Sequence, residues 1–394
     1  METTQDTASL VGILTAASLA GGASKYAIGP LVPEITASFD VTTATVGIAL
    51  SAMWFAFAAV QFIGGVLADL VGERFVLLAS VSLIFLGSSL LFVAPTFPIF
   101  LGALVVLGSG TGALLISSAT YIGKTFETMG GKLGVITLGS SAAGLLAPLL
   151  AVTLGALYGW RIVMLSGATL ALPIFVGIYV EVDSVPRVSS DDRRSDIRAG
   201  LEQVLAGRVL LLTLFGASMY FVFQAIASFF PTMLLGTTDV SPRTAAVALS
   251  AFFALTAVSN PVFGRLSERL GRTPVLSACL GVSIIGFALL FVSTTPLLVS
   301  VGVAFVGVGS GWGSTLTSKL MELFTRGERG TGYGVMNTLA NVLGSSGSAV
   351  TGVFALRYGW HQTIGLIAAI LVCALSLLLV DSILPKNGGV DPSE

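Results

Sequence analysis

The strongest constraint on this chain is that its two halves carry the same pattern. Residues 134–161 begin with Gly and end in Tyr-Gly-Trp-Arg, and residues 334–361 begin with Gly and end in Tyr-Gly-Trp-His. A second pattern repeats at nearly the same interval, because the Gly, Leu, acid and Gly of residues 65–72 return in residues 264–271. Both repeats lie in apolar sequence. The duplication therefore predicts a membrane protein built from two similar halves.

The composition places the chain in a lipid bilayer. Hydrophobic residues make up 54% of the 394 residues, charged residues only 10%, and the mean hydropathy is +0.95. Apolar stretches of about 20 to 28 residues, each long enough to span a bilayer as a helix, begin near residues 9, 43, 73, 97, 131, 160, 208, 242, 272, 296, 330 and 359. Their length and their lack of alternating polarity predict helices rather than barrel strands.

These stretches predict an all-α membrane protein with twelve transmembrane helices in two pseudo-symmetric six-helix halves. The halves are expected at residues 1–181 and 208–394, with a cytoplasmic linker at residues 182–207 between them. With both termini inside, fourteen Lys and Arg residues fall on the cytoplasmic side, and only Arg161, Arg243 and Arg357 fall outside. By the positive-inside rule, we expect a multi-pass protein of the cell membrane, monomeric in the lipid bilayer, with cytoplasmic termini.

Several classes of function find no support in the sequence. The net charge of −1 gives no basic surface for nucleic acid. Cys279 and Cys373 both lie in apolar stretches, and no cluster of nucleophilic, basic or metal-ligating residues gathers in the spans. The glycine-rich residues 108–112 and 307–311 lack the strand and the distal acid of a dinucleotide site. We expect neither enzymatic activity nor a bound metal or cofactor.

The duplicated loop carries a family resemblance. A Gly-x-Leu-x-acid-x-x-Gly sequence after the second and the eighth of twelve spans resembles the major facilitator superfamily of transporters. The resemblance implies a central cavity lined by the first, fourth, seventh and tenth helices. It also implies that the loops latch neighbouring helix ends when the transporter faces outward, a gating role for Asp69, Arg74, Glu268, Arg269 and Arg272. A purely topological role for these charges is the alternative.

Lys25 is the residue that most strongly predicts a binding site. It lies about 16 residues into the first apolar stretch, near the middle of the membrane, where a lone base costs about 2.5 to 3.5 kcal/mol. The acids Glu34, Asp69, Glu322 and Asp381 all lie near span ends. A buried cation without a carboxylate at its own depth predicts a receptor for an anionic substrate. The alternative is a lysine that reaches the membrane surface or bonds only to carbonyls and hydroxyls.

The duplication suggests further residues of the cavity wall. Aligning the halves at an offset of 199 places Gln224 opposite Lys25, and the resemblance implies that the two face each other across the cavity. Further candidates for the wall are Tyr26, Ser117, Ser118, Thr120, Tyr121, Tyr220, Trp312 and Ser314. For each aromatic residue, ordinary helix packing or a place in the interfacial belt is the alternative.

Polar residues near the end of the chain form two local patterns. In the eleventh span, Tyr333, Asn337 and Asn341 recur every four residues, so this stripe either lines the cavity or bonds to a neighbouring helix. At the end of the tenth span, Lys319 and Glu322 are three residues apart. This spacing predicts a local pair at the cytoplasmic boundary, with an anion contact at the inner mouth as the alternative.

The residues and the resemblance together predict a secondary active transporter that moves a small organic anion by alternating access. Lys25 would bind the carboxylate, and Lys25-Tyr26 followed by Gly29-Pro30 is similar to the first helix of monocarboxylate porters. A coupling proton, as in a symporter, or a counter-anion is a further expected partner. The alternatives are efflux of apolar drugs, which 24 Phe residues would suit, and a transporter-like ligand sensor.

Overall fold

The fold is entirely α-helical in the part of the chain that the computed structural model describes, residues 4–126, 129–183, 207–293, 295–324 and 329–383. The first half contains α1 (Thr4–Phe39), α2 (Thr43–Val71), α3 (Glu73–Val93), α4 (Phe97–Thr125), α5 (Met129–Tyr158) and α6 (Trp160–Glu181). The second half contains α7 (Gly207–Thr237), α8 (Pro242–Leu270), α9 (Arg272–Val292), α10a (Pro296–Gly309), α10b (Gly313–Met321), α11a (Arg329–Gly344), α11b (Gly347–Tyr358) and α12 (Trp360–Ile383). The tenth and eleventh helices are each broken in two, whereas α4 and α5 are continuous.

The described residues confirm the predicted fold class. When the two segments of α10 and of α11 are counted together, eleven helical units of this part of the chain are long and apolar enough to cross a bilayer. The twelfth is α1, a 36-residue helix whose hydropathy is lowered by Lys25, Pro30 and Pro33. The predicted linker falls almost wholly at residues 184–206, outside the described residues, so the boundary between the halves stays a prediction.

Four repeated glycines explain much of the duplicated pattern. Gly72 and Gly271 separate the second helix of each half from the third, and Gly159 and Gly359 separate the fifth from the sixth. All four have positive φ angles, from +81° to +96°. Glycine adopts such angles readily because it has no Cβ. The duplicated glycines therefore mark the sharp turns at which consecutive helices reverse direction.

The glycine-rich segments let helices pack closely. An added Cβ on Gly108 or Gly112 would lie 2.2 Å from the carbonyl oxygen of Met53 or Phe57, so these glycines bring α4 against the backbone of α2. In the second half, the glycines of residues 307–311 lie against α8 and α9. Small residues allow such contact in lipid, where apolar area gives little drive for association. The glycine runs therefore serve helix packing.

The two halves meet along a contact that we call the seam, at the face away from the termini. There α1 and α2 contact α7 and α11b. The hydroxyl of Ser51 accepts a hydrogen bond of 2.7 Å from the backbone N–H of Ala349, in the first turn of α11b. Gly47 packs so closely that an added Cβ would lie 2.6 Å from the carbonyl oxygen of Ser348. With the predicted cytoplasmic termini, the seam closes the outer face.

Candidate functional site

Lys25 lies inside the first half and faces three aromatic rings. The residue is only 8% exposed, and its ammonium nitrogen is 4.5 Å from the ring centroid of Phe57 and 4.9 Å from those of Tyr26 and Trp54. We call these three residues the aromatic cage. The negative face of an aromatic ring attracts a cation, by about 2 kcal/mol or more where water is excluded. Tyr26 follows Lys25 on α1, and α2 supplies the other two rings from positions one turn apart.

Lys25 makes no ion pair and no hydrogen bond within the described part of the chain. The ion pairs found there involve other bases. Its low exposure also shows that the side chain does not reach the membrane surface. Neither alternative drawn from the sequence, a lysine at the surface or one bonded to carbonyls and hydroxyls, matches this position. The rings are the favourable contacts of its charge.

A cavity of about 270 Å³ lies beside the ammonium group. It is lined by residues of α1, α2, α4 and α5: Ser18, Gly21, Gly22, Lys25, Tyr26, Phe57, Thr111, Leu114, Leu115, Thr137, Ser140 and Ser141. Most of its bonded hydroxyls, including those of Thr137 and Ser141, donate to carbonyls of their own helix. Ser140 instead lies 3.5 Å from the phenol oxygen of Tyr26. The cavity therefore offers an anion one cation together with the hydroxyls of Tyr26 and Ser140.

Only two of the predicted substrate-binding residues, Lys25 and Tyr26, line this cavity. Trp54, Phe57 and Ser140 are candidates that the sequence reasoning misses. One signal could have found the two rings: they are three residues apart in the second span, at about the depth that Lys25 has in the first. Ser140 has no comparable signal, because Ser141 beside it and Thr137 about one turn earlier carry the same hydroxyl group.

A second polar cluster lies in the other half. The phenol of Tyr220 donates a hydrogen bond of 2.7 Å to the side-chain oxygen of Asn337, joining α7 to α11a. The ring of Trp312 meets that of Tyr220 edge to face at 5.6 Å. Tyr333 lies 3.3 Å from the hydroxyl of Thr317. Asn337 in the predicted stripe thus bonds a neighbouring helix, and the substrate-binding role of this cluster stays a prediction.

Gln224 and Tyr121 are both buried but lie outside the wall of the cavity beside Lys25. Gln224 is 1% exposed, and its side-chain oxygen has no hydrogen-bond partner among the described residues. Tyr121 is 4% exposed on α4. A contact of either residue with substrate therefore stays a prediction.

The loop charges make their contacts within their own half. The guanidinium of Arg74 donates to the carbonyl of Tyr179 at 2.7 Å, which ties α3 to α6. Arg272 pairs with Glu322 at 2.5 Å. Glu268 and Arg269 are exposed, and the side chain of Asp69 lies outside the described residues. A latch that forms when the transporter faces outward stays a prediction for these five gating candidates.

The predicted pairing of Lys319 with Glu322 is wrong. Lys319 is 7% exposed, and its ammonium group donates to Asp381 at 2.7 Å and to Thr273 at 2.9 Å. Asp381 also accepts from Arg208 at 2.7 Å. The physical reason is that α10b ends at Met321, so Glu322 caps the helix end and pairs with a base of α9. Lys319 lies one turn earlier and points between α9 and α12.

Comparisons with known proteins agree with this architecture. The family model described as Major Facilitator Superfamily matches residues 14–241 and 212–393. The probable nitrate transporter NarT of Staphylococcus carnosus is 23% identical over 362 residues, which cover 89% of this chain and 91% of that protein. The multidrug resistance protein fnx1 of Schizosaccharomyces pombe is 26% identical over 154 residues, 37% of this chain and 29% of its own length. Among solved structures, a bacterial homolog of the human lysosomal transporter Spinster, inward-facing and occupied, has a TM-score of 0.83 at 16% identity, covering 99% of this chain and 100% of the other.

Proposed function

This chain belongs to the major facilitator superfamily and is a secondary transporter, and we propose that it binds a small oxyanion at Lys25. Alternating access would then carry the anion across the membrane. The shared chemistry is a planar group whose single negative charge is spread over two or three oxygens. A monocarboxylate, as the sequence predicts, and nitrate both have this chemistry.

The unpaired charge of Lys25 is the observation that carries this proposal. Burying a cation without a counter-ion costs free energy, and the aromatic cage offsets only part of that cost. An anion in the adjacent cavity would neutralise the ammonium group. It would also receive charge-assisted hydrogen bonds from Lys25 and hydrogen bonds from the hydroxyls of Tyr26 and Ser140.

The size of the cavity supports a small substrate. Its volume of about 270 Å³ is below the range of roughly 300 to 1,000 Å³ that is usual for drug-sized ligands. The NarT relative is named for nitrate transport, which fits an anion of this chemistry. The cavity has one base and no second charged residue in its wall, which favours a monovalent anion.

The same charge favours exchange of one anion for another. An empty site would keep an uncompensated cation while both faces are closed, whereas a loaded site would be close to neutral. The conformational change is therefore easier with an anion bound. We infer that the transporter works fastest when an anion is present on each side of the membrane.

Transport by the reconstituted protein tests this proposal. Proteoliposomes are loaded with unlabelled nitrate, formate, acetate or lactate, and uptake of the labelled anion is followed. We expect Lys25→Gln to lower the initial rate about 100-fold or more for each transported anion, because the buried charge is the main contact. Lys25→Arg should retain part of the rate because it keeps the charge.

A matched control is Lys132→Gln, which removes a base of the same half from outside the cavity and should leave the rate unchanged. The choice among nitrate and the three carboxylates identifies the oxyanion. Uptake that requires anion inside the vesicles indicates exchange, and uptake driven by an imposed pH gradient into empty vesicles indicates proton symport. If the transported anions enter at the wild-type rate in Lys25→Gln, the site is not at Lys25.

Efflux of apolar compounds is a second candidate, supported by an aromatic cluster between the halves. The ring of Tyr26 lies 4.5 Å from that of Phe253, which also packs against Phe223 and Phe252. The partial match to a multidrug resistance protein fits this reading. Efflux of a fluorescent dye from intact cells, unaffected by Lys25→Gln but lowered by Phe253→Ala, would support this candidate over the anion transporter.

A further inference from the structure

The proposed anion site leaves one contact of Trp54 without a role. Trp54 is 3% exposed, and its ring holds the ammonium group of Lys25 at 4.9 Å. Its indole N–H donates a hydrogen bond of 3.3 Å to the hydroxyl of Ser228 on α7, in the other half. One side chain therefore touches both the buried cation and the opposite wall of the seam.

The neighbours of Trp54 show that its face of α2 is the face that holds the seam closed. Ser51 lies about one turn earlier and bonds the first turn of α11b through Ala349. Ser228, the acceptor for Trp54, lies 2.7 Å from the hydroxyl of Ser348, also in the first turn of α11b. Residues three or four apart share one face of a helix. Contacts from this face of α2 thus reach both α7 and α11b.

Phe57 provides a matched contrast on the same helix. Its ring is 4.5 Å from the ammonium group of Lys25, closer than the ring of Trp54. Its neighbouring ring is Trp54 itself, at 5.8 Å, so these ring contacts lie within the first half. Phe57 therefore shares the contact with the cation but not the hydrogen bond across the seam.

We propose that Trp54 is a positioning residue that links occupation of the Lys25 site to opening of the seam. This inference rests on the proposed anion site. A bound anion competes with the ring for the charge of Lys25, so the attraction that holds the indole in place weakens. The hydrogen bond to Ser228 is then released more easily, and α2 separates from α7 and α11b. A ligand shifts a conformational equilibrium only through such a difference in its interactions with the two states.

Spin labels across the seam measure this link. Cysteines replace Ala37 and Asp239, two exposed residues at the outer ends of α1 and α7, in a Cys373→Ser background, because the other native cysteine, Cys279, is buried. Double electron–electron resonance gives the ratio of open to closed seam without anion, with saturating nitrate and, in a parallel arm, with saturating lactate. The opening factor is the ratio with anion divided by the ratio without it.

The variants separate the two contacts of the indole. Trp54→Phe keeps a ring but removes the N–H, and Ser228→Ala removes the acceptor. Each should raise the open-to-closed ratio without anion about two- to tenfold, the worth of one neutral hydrogen bond. In both variants, the opening factor should fall close to one. The double variant should not raise the open-to-closed ratio further, because both changes remove the same hydrogen bond. Phe57→Leu removes a ring that competes with the anion for the charge of Lys25 but no bond across the seam, so it should strengthen anion binding and keep the opening factor.

The outcomes distinguish this inference from the anion site itself. Anion binding is measured on the same samples by isothermal titration calorimetry, with Lys25→Gln as the reference. If Trp54→Phe and Ser228→Ala raise the ratio equally with and without anion, Trp54 only fastens the seam and the link does not exist. The same holds if an anion that binds the wild type leaves its ratio unchanged. If Lys25→Gln still binds the anion with wild-type affinity, the anion site fails and the link fails with it.

Discussion

Within the residues that the structure describes, each half of this transporter buries one lysine, and the two lysines have opposite surroundings. Lys25 is 8% exposed and faces three aromatic rings, whereas Lys319 is 7% exposed and bonds directly to Asp381. Arg208 completes the second cluster by bonding the other carboxylate oxygen of Asp381. The second half thus neutralises its lysine internally, and the first half does not. The anion site proposed for Lys25 therefore rests on the missing counter-ion and not on burial, which the two lysines share.

A second comparison shows what the duplication preserved. In the first half, Glu73 at the start of α3 pairs with Lys124 at the end of α4. In the second half, Arg272 lies 199 residues after Glu73, and Glu322 lies 198 residues after Lys124. These two residues also form an ion pair. Each half therefore has an ion pair between its third and fourth helices. The acid is on the third helix in the first half, and the base is on the third helix in the second half. The duplicated geometry requires a pair at this place but not a particular polarity.

The largest expected loss of stability comes from removing the counter-ion of the paired lysine, Lys319. Asp381→Asn should destabilise the protein by about 3 to 5 kcal/mol, because it leaves the buried Lys319 without its counter-ion. Thermal unfolding in detergent, followed by intrinsic fluorescence, measures the change. The double variant Asp381→Asn with Lys319→Met should recover most of the loss, because it removes the unpaired charge. An unfolding temperature close to wild type in Asp381→Asn would show that the two buried lysines do not differ in this way.

Removing the unpaired lysine, Lys25, should leave the stability of the protein unchanged or raise it. Lys25→Met removes a buried cation whose cost, about 2.5 to 3.5 kcal/mol before the contribution of the rings, nothing fully offsets. We expect an unfolding temperature equal to or a few degrees above wild type, together with loss of transport. The transported anion should protect the wild type against heat and leave Lys25→Met unaffected, since ligand binding stabilises the folded state. A variant that unfolds well below wild type would assign Lys25 a role in holding the fold.

The smallest expected effect concerns the ion pairs between the third and fourth helices. Lys124→Glu should destabilise the first half by about 1 to 3 kcal/mol, because it places a second acid beside Glu73, which is 1% exposed, and adding Glu73→Lys should restore stability by reversing the pair. The corresponding test in the second half is Glu322→Arg, rescued by Arg272→Glu. Unfolding temperatures of the four variants measure the loss of stability and its rescue in each half. Rescue in one half only would show that the two ion pairs are not equivalent.

The fold was predictable because its signals are local. Apolar stretches of spanning length and the repeated glycine motifs can be read over short windows, and the structure places Gly72 and Gly271 of those motifs at turns with positive φ angles. Lys25 could also be identified from its own helix, because the cost of a charge depends mainly on its depth. Tyr26 followed from its position next to it.

The partners of these residues could not be predicted in the same way. Lys319 and Asp381 are 62 residues apart, and Trp54 and Ser228 are 174 residues apart. Such contacts depend on the rotation and tilt of whole helices. The spacing of three residues on one helix therefore predicted a pair between Lys319 and Glu322. That pair does not form, because the helix ends at Met321.

The sequence by itself determined that this chain spans a membrane as two related halves, because hydrophobicity, turn glycines and duplication are properties of short segments and their repetition. It also determined that one lysine would be buried. Only the tertiary structure decided that this lysine would lie among aromatic rings, that the other would be neutralised by Asp381, and that one indole would connect the first of them to the seam. The physical reason is that charges and hydrogen bonds act over a few ångströms, and which groups come that close is decided by how helices distant in sequence pack.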